Sequence, residues 1–414
     1  MELLILADDL TGALDTGIQF VTAGASTRVV LDPHYDLRQV DPDVQVLVVD
    51  TESRHIAQED AAALVRHIVQ QAVELSVPCI YKKTDSALRG NVGAELGAAL
   101  EASGADQLHF IPAYPKTKRT TKDGTHYIDG IPVGKSVFRN DPFNPVLCSR
   151  VANVLSEGSG LPMISVKKEE PAGDLPGIQI YDAETDEDIL ARSRELQAKG
   201  KLFLLAGCAG FASVLSELMD LRSKPAEPLE LPGAFLLACG SVNPITREQV
   251  KEAVDSGRFQ YFPIPPEECL VPHWFTAEEK GRGQVQAWAD CLARGEKCIL
   301  DTNDIPGRLT ALEYAKRQGG TLEDVQRQIP AAIGEALRSL LEKNVEVTLM
   351  VTGGDVLMGF MQEMGICEIE PVQELFTGTV LSYVRIQGKK QPLISKSGGF
   401  GTPDVLLRLL EKLH

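Results

Sequence analysis

The 414-residue chain predicts an α/β fold: two doubly wound domains, each with a largely parallel sheet, joined by a Pro-rich linker. Three observations predict it. Short apolar runs alternate with stretches of helical periodicity, the pattern of parallel strands joined by crossover helices. The length exceeds what one core ordinarily organises. The segment Lys224-Pro225-Ala226-Glu227-Pro228-Leu229-Glu230-Leu231-Pro232-Gly233 concentrates prolines and interrupts the alternation. The expected domains are therefore 1–223 and 234–414.

The elements follow in order. Leu3-Leu4-Ile5-Leu6-Ala7 reads as a buried strand and 11–23 as a helix. Residues 27–31 and 44–49 are strands. The 58–75 segment carries Ala61, Leu64, Val65, Ile68, Val69 and Ala72 at helical spacing. Val77-Pro78-Cys79-Ile80-Tyr81 is a strand, 93–103 a helix and 108–111 a strand. Residues 113–145 read as a long irregular insertion with turn signals at Asp123-Gly124, Asp129-Gly130, Asp141-Pro142 and Asn144-Pro145. A loop of that length points to a lid or an arm that reaches a partner. Past the linker, strands are expected at 234–238, 297–300, 346–351 and 391–394. Helices are expected at 246–256, 321–343 and 404–413.

Composition narrows the function. Hydrophobic residues make up 43% and charged residues 24%, as in an ordinary globular protein. The net charge of −17 argues against nucleic acid or an anionic membrane as partner. It also makes local clusters of cations informative. No apolar stretch approaches the roughly 20 residues of a membrane span, and the chain starts on a strand-like run without a basic leader. The eight cysteines form no C-x-x-C pair, which points to buried, reduced thiols in a cytoplasmic protein.

The charged residues gather after strands. Asp8, Asp9, Asp50, Arg54, Lys82, Lys83 and Asp85 all fall at or just past strand ends, where doubly wound sheets bind ligands. Lys82-Lys83-Thr84-Asp85-Ser86-Ala87-Leu88-Arg89-Gly90 packs three cations and a carboxylate together, suited to an anionic acceptor. Asp85 could accept a proton from a hydroxyl while Lys82, Lys83 and Arg89 neutralise a carboxylate. The adjacent pair Asp8-Asp9 is either a helix N-cap or a carboxylate site whose repulsion a cation, a proton or a hydroxyl relieves. It is similar to the aspartate motif of haloacid-dehalogenase phosphatases, but those aspartates are separated by one residue. Three Gly-rich turns follow strands in the second half: Cys239-Gly240-Ser241, Thr352-Gly353-Gly354-Asp355 and Lys396-Ser397-Gly398-Gly399-Phe400-Gly401. Together they suggest a backbone cradle for phosphate. None matches the Walker or dinucleotide fingerprints. Basic residues Lys116, Lys118, Arg119 and Lys122 mark the 113–145 insertion either as a solvated face or as a charged lid. A side-chain anion site and a backbone phosphate site together suggest a kinase of small acids.

At these residues the chain resembles the four-carbon acid sugar kinase family. Ala7-Asp8-Asp9-Leu10-Thr11-Gly12-Ala13-Leu14-Asp15-Thr16-Gly17, Thr51-Glu52-Ser53-Arg54, the Lys82–Asn91 stretch and the three glycine turns carry the resemblance, in family order. It implies an N-terminal substrate domain, a C-terminal nucleotide domain and ATP-dependent phosphorylation of the terminal hydroxyl of threonate, erythronate or a 3-oxo-tetronate. It assigns Asp9, Arg54, Lys82, Lys83, Thr84 and Asp85 to the acid. Ser241, the Gly353-Gly354-Asp355 turn and Gly398, Gly399, Phe400 and Gly401 would go to ATP. The Leu14-Asp15-Thr16-Gly17 segment looks closest to threonate-type members. Mg²⁺ is expected on chemical grounds; the partner is a small-molecule acid, and whether the chain forms a homo-oligomer is left open. Domain closure across 224–233 would exclude water. Arg54 is expected to grip the carboxylate. Asp8 should raise the pKa of Asp9, while Lys83 and Arg89 depress that of Asp85, which favours Asp9 as the base. A phosphohydrolase using Asp8 or Asp9, or a non-catalytic sugar-acid sensor, is the alternative.

Overall fold

β1 (Leu3–Ala7) is buried along its whole length, as a strand covered on both faces must be. The structure, a computed structural model, describes residues 1–141, 143–219, 221, 231–303 and 307–413. It divides into two units, Met1–Ala226 and Glu227–His414. Most of the predicted 224–233 linker lies outside the described residues.

The N-terminal unit continues with α1 (Leu10–Thr22), β2 (Thr27–Val30), β3 (Val46–Asp50), α2 (Gln58–Glu74), β4 (Cys79–Lys83), α3 (Val92–Ser103) and β5 (Gln107–Ile111). A small antiparallel sheet of β6 (Arg119–Lys122), β7 (Thr125–Ile128) and β8 (Ile131–Pro132) follows. Then come α4 (Val151–Ser156), β9 (Met163–Val166), β10 (Gly177–Tyr181), α5 (Asp186–Ala198), β11 (Leu204–Gly207) and α6 (Ala209–Leu218). The main sheet runs β2-β3-β1-β4-β11-β5-β10-β9 and every pairing is parallel. Register sets Ala7 against Asp50 and Lys83, so the chain leaves β1, β3 and β4 at one level. Leu4, Leu6, Leu47, Val49, Ile80 and Phe110 anchor the core.

The 113–145 stretch is not irregular. Its Asp-Gly signals are two-residue hairpin turns, with positive φ at Asp123, Gly124, Asp129 and Gly130, the backbone such turns need. Asp141 lies on the same arm, while Pro142 lies outside the described residues. The arm is fastened to the Lys82–Gly90 loop. Buried His126 bridges Thr121 Oγ1 (3.0 Å) and the Ser86 carbonyl (2.9 Å). Ala87 packs with Ile128, Val133 and Val146.

The C-terminal unit contains β12 (Phe235–Cys239), α7 (Pro244–Asp255), β13 (Gln260–Pro263), α8 (Pro266–Cys269), α9 (Trp274–Ala277), α10 (Glu279–Ala293), β14 (Lys297–Asp301), α11 (Ala311–Arg317), α12 (Leu322–Leu341), β15 (Thr348–Thr352), α13 (Gly354–Met364), β16 (Glu368–Phe376), β17 (Thr379–Ile386), β18 (Lys389–Lys396) and α14 (Val405–Lys412). Its sheet runs β13-β14-β12-β15-β18-β17-β16. The first five strands are parallel, and β16 and β17 add an antiparallel edge. The sequence reading does not anticipate that edge. Phe235, Leu237, Ile299, Met350 and Ile394 lie in a separate core. All eight cysteines are free. Cys79, Cys208, Cys239, Cys269 and Cys298 are buried and Cys367 is exposed. Among the described residues no helix is long and apolar enough to cross a membrane.

Candidate active site

Asp8 and Asp9 carry the chain from β1 into α1. Asp9 is the N-cap: Oδ1 accepts from the Gly12 N–H (2.9 Å) and Oδ2 from the Thr11 hydroxyl (2.8 Å). The loop after β3 is drawn over β1 by Thr51, whose Oγ1 donates to the Ala7 carbonyl (2.7 Å). The Arg54 N–H donates to the Asp8 carbonyl (3.2 Å). Arg54 is thereby buried among three acids. Its Nε donates to Asp8 Oδ2 and its Nη1 to Asp9 Oδ2, both at 2.7 Å, and Nη2 lies 3.8 Å from Asp85 Oδ1.

β4 separates its two lysines by alternation. Lys82 is completely buried, paired with Glu95 Oε2 at 3.1 Å, and the Ser53 hydroxyl donates to the same carboxylate. Lys82 is thus turned away from the acids around Arg54. Lys83 faces them, its Nζ 3.8 Å from Asp8 Oδ1. Among the described residues that Nζ makes no hydrogen bond. Asp85 is saturated: Oδ2 accepts from the Ala87 N–H, the Arg89 N–H and Arg89 Nε, and Oδ1 from Arg89 Nη2. The remaining Arg89 nitrogen, Nη1, donates to Asp141 on the arm (3.2 Å). Buried Asp8 Oδ1, Thr84 Oγ1 and Asp50 Oδ2 have no hydrogen-bond partner among the described residues. A cavity of about 230 Å³ opens beside Arg89, Asn91 and Asn144, but Asp8, Asp9 and Lys83 do not line it.

These contacts set the charges. Burial pushes Asp85 up, but Arg89 and then Arg54 outweigh it and hold its pKa well below the usual carboxylate value. Asp9 is also lowered: burial opposes ionisation, and Arg54 and Lys83 overcome it. This corrects the expectation from Asp8 alone, because a guanidinium at 2.7 Å outweighs the neighbouring acid. The raised carboxyls lie elsewhere. Burial, then repulsion from Glu52 and Asp9, hold Asp50 well above the usual value. Partial burial, then repulsion from Asp9, push Glu52 up to about 7. Asp50 is a candidate only in being noted at a strand end. Glu52 sits inside the Thr51–Arg54 motif with no role attached.

In the C-terminal unit the glycine turns converge on Ser241. The Gly240 N–H donates to the Thr352 carbonyl (3.1 Å). Gly353 has φ +102, and a Cβ there would lie 3.2 Å from the Ser241 nitrogen. A Cβ on Gly398 would lie 2.6 Å from Ser241 Oγ. α7 clamps the last turn: Thr246 Oγ1 donates to the Gly398 carbonyl (2.9 Å), and Gln249 Nε2 to those of Phe400 (3.0 Å) and Thr402 (3.1 Å). Gly354 opens α13, so unpaired N–H groups and the positive end of its dipole face the same turns. Asp355 is exposed in its first turn. Thr246 and Gln249 are absent from the sequence candidates. Their spacing on α7, on its buried face, is the signal that could have found them.

Known proteins match this arrangement unit by unit. A family model described as a sugar-binding N-terminal domain matches residues 3–215, and one described as a nucleotide-binding C-terminal domain matches residues 236–406. The chain belongs to the four-carbon acid sugar kinase family. It is, accordingly, a kinase. The relatives of this sugar-acid kinase include a D-threonate kinase of Salmonella typhimurium, 27% identical and covering 98% of this chain and 97% of its own. A D-erythronate kinase of Heliobacterium modesticaldum is 25% identical over 100% of this chain and 97% of its own. Among solved structures, a Salmonella typhimurium LT2 protein provisionally named a tRNA synthase superposes with a TM-score of 0.81 over 100% and 99% of the two chains. At 18% identity that likeness is one of fold.

Proposed function

We propose that this kinase transfers the γ-phosphoryl group of ATP to the terminal hydroxyl of a four-carbon sugar acid, with D-threonate the favoured acceptor. One observation carries the reading. Asp8, Asp9, Arg54, Lys83 and Asp85 meet at the ends of β1, β3 and β4, with buried Asp8 Oδ1 and Thr84 Oγ1 unpartnered. A polyhydroxy acid supplies what such atoms lack: hydroxyls for the carboxylates and a carboxylate for Lys83. The D-threonate kinase relative supports the choice of acid. Arg54 and Arg89 are mostly committed to protein acids, so Lys83, with Arg54 Nη2, is the cation for the substrate carboxylate. Ser241, Gly353, Gly354, Gly398, Gly399 and Gly401 offer the backbone cradle for the triphosphate.

Among the described residues no three His, Cys, Asp or Glu side chains are grouped to hold a metal. Mg²⁺ fits as an ion carried in on the phosphates, with Asp301 and Asp355 the acids at or beside the glycine turns, and it would neutralise the polyphosphate. The protein's own part is positioning and charge complementarity. The test is ADP release with D- and L-threonate, D- and L-erythronate, their oxo acids and 4-hydroxythreonine. D-threonate is expected to give the highest kcat/KM, and Lys83→Met to raise the acid KM at least tenfold. No acid-dependent ADP release in the whole series would defeat the reading.

A further inference from the structure

Glu52 lies in the N-terminal cluster, yet neither the lysine loop nor the aspartate pair explains it. Its backbone sits at φ +44, which a residue with a Cβ adopts only when its surroundings hold it there. Two contacts do so. Its N–H donates to Asp50 Oδ1 (3.2 Å), and its Oε1 accepts from the Leu10 N–H at the start of α1 (3.1 Å). The carboxyl therefore stands beside Asp9 on an otherwise exposed residue.

We propose that Glu52 is the general base that takes the proton from the acceptor hydroxyl. The inference rests on the kinase reading given above. Lone pairs narrow the choice among the acids, since a carboxylate offers about four acceptor positions, and Asp8, which among the described residues accepts only from Arg54 Nε, is held between Arg54 and Lys83. Asp85 accepts four hydrogen bonds and Asp9 three. Asp50 is fully buried. Glu52 accepts one from the Leu10 N–H and shares a side-chain hydrogen bond with Asp50, which leaves acceptor positions for a substrate. Asp9 and Asp85 are moreover held as weak bases by their guanidinium partners, whereas desolvation and then Asp9 push Glu52 up to about 7, where proton acceptance at neutral pH is most effective. The groups facing it are Asp9 and the Leu10 N–H from the β1–α1 junction, and Asp50 and Arg54 from its own segment. As the hydroxyl oxygen bonds to the γ-phosphorus, the bond from that phosphorus to the bridging oxygen breaks and its electron pair leaves with ADP. The hydroxyl proton passes to Glu52 and then to water.

Glu52→Gln keeps an acceptor for the Leu10 N–H but removes the base. With the acid that the wild-type enzyme turns over best, kcat is expected to fall at least 100-fold. The acid KM should stay within about threefold, and the acidic limb of the kcat–pH profile should vanish. In wild-type enzyme, carboxyl-carbon NMR should place the Glu52 midpoint near 7, a reading that does not depend on the variant folding. A Glu52→Gln kcat within threefold of wild type with the acidic limb intact, or a midpoint near the ordinary glutamate value, overturns the assignment. Failure of the kinase reading has a different signature: wild-type enzyme releasing no ADP with any of the acids, which overturns both.

Discussion

Arg54 ties Asp8, Asp9 and Asp85 into one buried cluster, and that changes what its loss should do. The sequence reading makes it a substrate clamp whose removal raises the acid KM alone. In the structure its removal strands three acids that it neutralises. Leaving buried charge uncompensated costs about 3–5 kcal/mol. Arg54→Ala is therefore expected to lower Tm by several degrees as well as to abolish activity. Thermal unfolding read beside ADP release checks this, and an unchanged Tm with activity retained at a raised acid KM would restore the simpler role. The sequence could bring Asp8 and Asp9 together because they are adjacent. It could not show that an arginine 45 positions away contacts Asp9, so it mistook the sign of that residue's shift. The depressed Asp85 was legible because Arg89 is only four positions on.

At the scale of elements, the glycine turns differ in what each hydrogen atom leaves room for. Gly353 is required by its positive φ and by the Ser241 nitrogen. Gly399 is not: a Cβ there would meet only Asn243 Nδ2, at 3.9 Å. Gly399→Ala should accordingly keep the wild-type Tm within about a degree. It should nonetheless weaken ATP binding at least tenfold, because the added methyl enters space that faces the phosphate cradle. Calorimetry of ATP binding checks this, and normal affinity would remove Gly399 from the cradle. Gly353→Ala should instead lose stability by roughly 1–3 kcal/mol. The strands that frame these turns were readable as short apolar runs. β16 and β17 were not. β16 alternates in burial while β17 opens on four buried residues, and their reversals use Thr377-Gly378 and Gln387-Gly388, weaker signals than the Asp-Gly turns of the arm. Adjacent lysines also misled: Lys82 and Lys83 read as one cationic pair, although a strand must send them to opposite faces.

Among the described residues each unit has a large core of its own, beneath its own set of strand-end loops. Ligands should therefore leave separate footprints in hydrogen exchange. D-Threonate alone is expected to slow amides in 50–54 and 82–91, and ADP alone those in 239–243, 353–356 and 397–402. Protection by threonate confined to the second set would reverse the assignment of the units. Alternation of apolar runs and helical periods made this two-unit fold legible before any coordinate, since each unit repeats the same local grammar. The positions of Glu52 and Asp50 were not legible, because their character comes from neighbours distant in sequence. The distribution of cysteines has a practical corollary. Burial pushes the thiols of Cys79 and Cys298 up to about 12 and those of Cys239 and Cys269 higher still, so almost no thiolate exists there at neutral pH. Alkylating reagents and peroxide meet an enzyme whose accessible sulfurs are exposed Cys367, just past α13, and half-buried Cys148 and Cys291. With Cys148 and Cys291 replaced by serine, Cys367 becomes an attachment point for a fluorophore on the nucleotide half, while the buried thiols stay slow to react.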